Sequence, residues 1–316
     1  MKHRQGVHAR AVVLVLIVAG AATLLAACSS PSGSTTPASP EAASSRTQTL
    51  SPTEEPVASG EAVSTDSLTG HVHNLVLVGT KLYFGTHDGI WSQQPGQQPV
   101  RVSDEVFDTM GLTRTGSTWL ASGHPGPEMD APNDLGLGIS TNGGQTWTKG
   151  SLGGQVDFHR LVATNKVVMG LASNNGVLWR TANLGRTWKQ LGTPELFDLA
   201  LDPANDTTVL GTSPTGVMRS INGGTSFDSV PGAPLLALLA ASRGQVVGVD
   251  IDGKVYTTTD GGSTWIHRGQ LAGQPIALAA EGSRVAALVG DAIMESLDGG
   301  RTFQARLTGV GAGAHG

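Results

Sequence analysis

Seven histidines follow residue 28, and four of them, His71, His73, His87 and His159, sit within two residues of a carboxylate or another histidine, while a fifth, His124, lies in a Gly/Pro loop. His71 and His73 are one residue apart in "HVHNL"; His87 and Asp88 adjoin in "GTHDG"; His124 lies in "ASGHPGP". Asp157 and His159 are also one residue apart in "VDFHR", while Asp108 and Asp198 open "DTMGLTR" and "DLALDPA". Neutral imidazole and carboxylate are ligand types for Zn, Cu, Fe or Ni. Residues at i and i+2 of a strand share a face, so either doublet could reach one ion. Met110 and Met129 add soft donors that would matter for Cu(I). Two other uses of the same groups stay open: a water-filled channel of hydrogen-bonded His–Asp pairs, and an acid/base centre.

These residues need a scaffold that gathers distant segments, and the chain repeats itself. "STNGGQTW" (140–147), "TANLGRTW" (181–188), "SINGGTSF" (220–227), "TTDGGSTW" (258–265) and "SLDGGRTF" (296–303) start 41, 39, 38 and 38 residues apart. A period near 40 with short β-type runs between is the signature of a propeller blade. A degenerate copy, "SQQPGQQP" (92–99), precedes the first clear one by 48 residues, and the surplus fits the insertion "HPGPEMDAPNDLG". Six copies predict an all-β, six-bladed β-propeller. Within each copy Asn142, Asn183, Asn222, Asp260 or Asp298 can accept backbone N–H groups in a tight hairpin. Trp147, Trp188, Phe227, Trp265 and Phe303 then anchor the hairpin on its blade.

Innermost strands line the channel of a propeller. Aligned blades place His73, Asp108, His159, Asp198, Leu236 and Ile276 at equivalent first positions, with His71 and Asp157 two residues earlier. The loops leaving the second strands lie at the same end and bring His87, Asp88 and His124 there. The repeated hairpins belong to the opposite face. Strand alternation predicts that Arg160, next to His159, points away from the channel.

Residues 1–27 read as an export signal: Lys2, Arg4 and Arg10 precede an apolar run that is short for a membrane span. The run ends in "LAAC", which resembles the lipobox of bacterial lipoproteins and implies lipidation of Cys28. That is the only cysteine, so no intramolecular disulfide is possible. Removing residues 1–27 leaves 17 basic against 25 acidic residues, a formal −8, which argues against a nucleic-acid partner. Residues 28–66 are Ser/Thr/Pro-rich and read as a tether carrying the lipidated cysteine, and 67–316 as the propeller, expected to be a monomer.

The repeated octapeptides match the Asp-box (BNR) motif of sialidases, sortilin-type receptors and photosystem assembly factors. "HVHNL", "THDGI", "ASGHPGP", "DAPNDLGL" and "DFHRL" further resemble bacterial exported Asp-box lipoproteins described as glycosylhydrolase-like. That resemblance implies a site at His71, His73, His87, Asp88, His124, Asp157 and His159, and a place on the outer face of the cytoplasmic membrane. The sialidase catalytic set does not transfer. The domain has only Tyr83 and Tyr256, neither at an inner-strand start, and Arg180 and Arg219 adjoin Asp boxes. Another glycosidase would need two carboxylates about 5–10 Å apart, for which Asp88, Asp108 and Asp157 are candidates. The sequence therefore presents a membrane-anchored propeller whose His/Asp cluster binds a transition metal, Zn or Cu, or a small polar ligand. The alternatives are a glycoside hydrolase acting on a glycan and an assembly scaffold for envelope proteins.

Overall fold

The computed structural model describes residues 62–65 and 70–311. The signal segment, Cys28 and His315 lie outside these residues. Among the described residues there are only strands, turns and loops, arranged as six sheets. No described helix is long and apolar enough to cross a membrane. Each sheet is built on a four-stranded antiparallel meander, to which the last blade adds a fifth, parallel strand, and the six together form a β-propeller. The innermost strands are Val72–Val78, Asp108–Thr115, Phe158–Ala163, Asp198–Asp202, Leu236–Ser242 and Pro275–Glu281. They surround a central cavity of about 800 Å³.

The blades hold together because both faces of each sheet are covered by the next blade, so their inner strands read as nearly continuous apolar runs. In blade 1, Leu75 and Leu77 pack with Ala286, Leu288 and Ile293 of blade 6. Val76 and Val78, pointing the other way, pack toward Leu112 and Trp119 of blade 2. The same alternation continues round the ring.

The five repeated hairpins have one construction. In the first, Ser140 Oγ donates to Asn142 Oδ1 at 2.9 Å and accepts the Gly144 N–H at 3.0 Å. Asn142 Oδ1 also accepts the Thr146 N–H at 3.1 Å, and Trp147 Nε1 donates to Gly144 O at 3.0 Å. Asn183, Asn222, Asp260 and Asp298 repeat the Oδ1 contacts. In the degenerate copy Gln94 stands at the Asn/Asp position, and the buried Ser92 Oγ has no hydrogen-bond partner.

The ring closes between blades 6 and 1. Arg306, on the strand Gln304–Thr308, is buried and donates to Glu295 Oε1, Gln93 Oε1, Gln93 O and Thr80 O, each at 2.7–2.8 Å. Val63–Ser64 pairs in parallel with Leu307 and Thr308, giving blade 6 a fifth strand. These two residues precede the boundary expected at residue 67 and join the sheet rather than the tether.

Candidate metal centre

The positioning of the site begins with an irregularity of the inner strands. In blade 1 the pairing steps from Val72–Thr86 to Asn74–Gly85, leaving His73 as an extra, bulged residue. Blade 2 steps from Thr109–Gly123 to Gly111–Ser122 and bulges Met110. Blade 3 steps from Phe158–Ala172 to Arg160–Leu171 and bulges His159. A bulge bends its strand and re-aims the side chains beside it. Neighbouring polar groups fix the result: Asn74 Nδ2 donates to Thr109 O and Met110 O, both at 3.0 Å, and Asn74 Oδ1 accepts the Gly85 N–H at 3.2 Å.

Two clusters follow, one at each boundary of blade 2. In the first, His73 Nε2 is 3.3 Å from Asp108 Oδ1, His87 Nδ1 is 2.9 Å from Asp108 Oδ2, and the two imidazoles approach to 3.4 Å. In the second, His159 Nε2 lies 2.6 Å and His124 Nε2 3.5 Å from Asp157 Oδ2. In each cluster three candidate ligand atoms of types that bind transition metals lie within 4.8 Å of one another.

Their electrostatics agree. Burial pushes the Asp108 carboxyl up, but hydrogen bonds from His73 and His87 outweigh it and hold it below the ordinary carboxylate range. Burial acts on Asp157 in the same way and is outweighed by hydrogen bonds from His159 and Ser173. Both carboxylates are thus anionic at neutral pH. Asp157 is only 3% exposed, yet its Oδ1 has no hydrogen-bond partner. A buried carboxylate oxygen left so is costly unless something fills its coordination.

The remaining expected residues divide. His71 joins neither cluster; its ring packs against His87 with centroids 5.0 Å apart. Asp88 also stands outside both, in the turn where its N–H donates to Thr86 Oγ1. Asp198 does not reach the histidines. It accepts the N–H groups of Leu199 and Leu239 at 2.9 and 2.8 Å and pairs with Arg160 Nε at 3.3 Å. Its burial raises its pKa despite Arg160 and those N–H groups. Arg160 therefore lines the central cavity, contrary to strand alternation, because the bulge at His159 shifts the phase. The same irregularity breaks the expected ring of equivalent positions. Asp108 lies two residues before the bulged Met110, so its counterpart in blade 3 is Asp157, not His159.

Three supporting residues were not anticipated. Ser173 Oγ donates to Asp157 Oδ2 at 2.7 Å, Asn133 O lies 2.9 Å from His124 Nδ1, and Asn74 pins the first bulge. Ser173 lies in the loop leaving the second strand of blade 3, Val168–Ala172, and Asn133 lies in the blade-two insertion, so position alone is their available signal.

No protein-family model matches the chain, and no curated protein sequence matches it. Many solved structures share the fold. A chain of a nidogen/laminin complex is 13% identical with a TM-score of 0.52, covering 69% of this chain and 89% of that one. The extracellular domain of a putative one component system from B. thetaiotaomicron is 10% identical, TM-score 0.52, covering 78% and 34%. A GH74 xyloglucanase from Xanthomonas campestris is 17% identical, TM-score 0.50, covering 79% and 46%. The chain thus spans under half the length of the last two. At these identities the likeness is one of fold.

Proposed function

We propose that this protein is an exported β-propeller that binds transition-metal ions through two His/Asp clusters at one mouth of its channel. The observation that carries the reading is the second cluster. A buried, anionic Asp157 faces two imidazoles, and one of its oxygens lacks a hydrogen-bond partner. A His–Asp pair also recurs from blade to blade: His87–Asp108 and His124–Asp157 are related by a step of one blade. The basic–apolar start and the "LAAC" sequence support lipid anchoring at Cys28 outside the cytoplasmic membrane. That location would let the domain sequester or hand over metal in the envelope.

Glycoside hydrolysis by these carboxylates finds less support. It calls for one carboxyl held protonated as general acid, whereas Asp108 and Asp157 are both lowered. Asp198, which is raised, is committed to Arg160 and two backbone N–H groups.

Calorimetric unfolding with and without Zn(II) or Co(II) tests the proposal. An ion at about 100 times its Kd adds about 2.7 kcal/mol per site, which raises Tm by about 5–10 °C. The increase should vanish in Asp108→Asn/Asp157→Asn. A wild-type Tm that no transition metal moves would remove the reading.

A further inference from the structure

We infer that the face opposite the metal clusters, at the repeated hairpins of blades 3, 4 and 6, rests on an anionic lipid bilayer and turns the His/Asp mouth outward. The inference rests on the lipid-anchor reading above and assigns the face that meets the membrane. Topology sets the two ends of the disc. The innermost strands begin at the clusters, so the turns between first and second strands lie at the far end. The hairpins lie there too: the Gly299 N–H donates to Ser283 O and the Gly223 N–H to Thr207 O, both at 2.8 Å. Val63–Ser64 runs parallel to Gln304–Thr308, the strand that leaves the blade 6 hairpin. The chain before Val63 therefore joins the propeller from the hairpin end. Residues 29–62 can extend on the order of 110 Å, so their length alone permits any orientation and the surfaces decide it.

Leu184, Ile221 and Leu297 stand 42%, 70% and 41% exposed at the tips of three equivalent hairpins. An arginine accompanies each. Arg186 is exposed two residues beyond Leu184. Arg219 precedes Ile221 by two residues and donates to Ser263 Oγ of the next hairpin at 2.6 Å. Beside Leu297, Arg301 is exposed and Arg268 donates to Gly299 O at 3.4 Å. The acids of the hairpins, Asp260 and Asp298, accept local N–H and hydroxyl groups with both oxygens. Aliphatic side chains flanked by guanidinium groups suit a lipid interface. The apolar groups enter it by about 5–10 Å while the cations meet anionic headgroups.

The mouth carries exposed apolar residues as well, and charge separates the two faces. Phe197 follows the exposed Glu195 by two residues, and Ile251 lies between Asp250 and Asp252. Asp88, Glu105, Glu128 and Asp134 continue the acidic rim over blades 1 and 2. An anionic surface repels that rim, so the hairpin face is the one that can approach lipid and both clusters stay open to solution.

The test uses the full chain, processed in a bacterial host, recovered from the membrane and reconstituted into vesicles of phosphatidylglycerol and phosphatidylethanolamine. Cys28 is the only native cysteine. With its thiol acylated, Ile221→Cys or Leu297→Cys supplies a single site for an environment-sensitive fluorophore on an exposed tip, where the fold tolerates it. Both labels should shift their emission to the blue on vesicles and lose it when the lipids carry nitroxides. Labels on Phe197→Cys and Leu235→Cys, at the mouth, should do neither. Vesicle-bound protein whose hairpin labels stay unquenched, or whose mouth labels are quenched instead, would overturn the inference and spare the anchor. Hairpin labels already shielded without vesicles would assign that face to a second copy of the chain and overturn it likewise. A chain recovered without acyl groups on Cys28 and missing from the membrane fraction would overturn both.

Discussion

The carboxylates of this protein divide into those that hold hairpins and those that hold imidazoles, and acid distinguishes them. Hydrogen bonds from the Thr264 side chain and N–H push Asp260 down to about 2. Burial pushes Asp298 up, but the Thr302 N–H and the Ser296 hydroxyl outweigh it and the net shift is downward. An unfolded Asp titrates near 3.9. A folded pKa below the unfolded one gives stability that is present above about pH 4 and lost as pH falls toward the folded value. Asn142, Asn183 and Asn222 perform the same acceptor role without titrating. Asp260→Asn/Asp298→Asn should therefore flatten the dependence of unfolding free energy on pH between about 4 and 2, leaving the residual slope due to Asp108 and Asp157. Urea unfolding at a series of pH values measures this, and an unchanged slope would contradict the assignment.

At the scale of elements, the bulge is what turns a propeller strand into part of a site. Asn74 makes three hydrogen bonds that fix the bulge at His73: two donated to blade 2 carbonyls and one accepted from Gly85. Asn74→Ala removes all three part-buried hydrogen bonds, at a cost of about 2 kcal/mol or more. It should also weaken metal binding at the first cluster but not the second. Denaturant unfolding and metal titration of the variant check both effects, and full stability with unaltered binding would show that the bulge does not depend on Asn74. The blades themselves were legible in the sequence. Their hairpins rely on local turn chemistry, and Asn142 or Asp260 with its glycine marks each copy. The gathering of His87, His124, Asp157 and His159 at one face was legible too, because loop order fixes the end of the channel. The bulges were not. A one-residue step in pairing leaves no mark in composition or alternation, so alternation alone turns Arg160 outward and makes Asp108 equivalent to His73. Asp198 was misplaced for a related reason: its two backbone N–H donors, Leu199 and Leu239, come from different blades.

For the whole molecule, closure of the ring and assembly of the site are one problem. Blade 1 supplies His73 and His87, and its other edge is the seam where Arg306 ties blade 6 to Gln93 and Thr80. Blades 1 to 3 carry both clusters. At the corresponding rim positions of blades 4 and 5, Phe197, Leu235 and Ile251 stand exposed instead of His and Asp. The central claim is that two separate clusters on this rim each hold a metal ion. Counting the ions retained after equilibrium dialysis of the full chain against Zn(II) tests it most directly. The account predicts two per chain, one for each cluster, one in either His73→Ala or His159→Ala, and zero when both are changed. Zero in the wild-type protein, or two retained by the double variant, would contradict it.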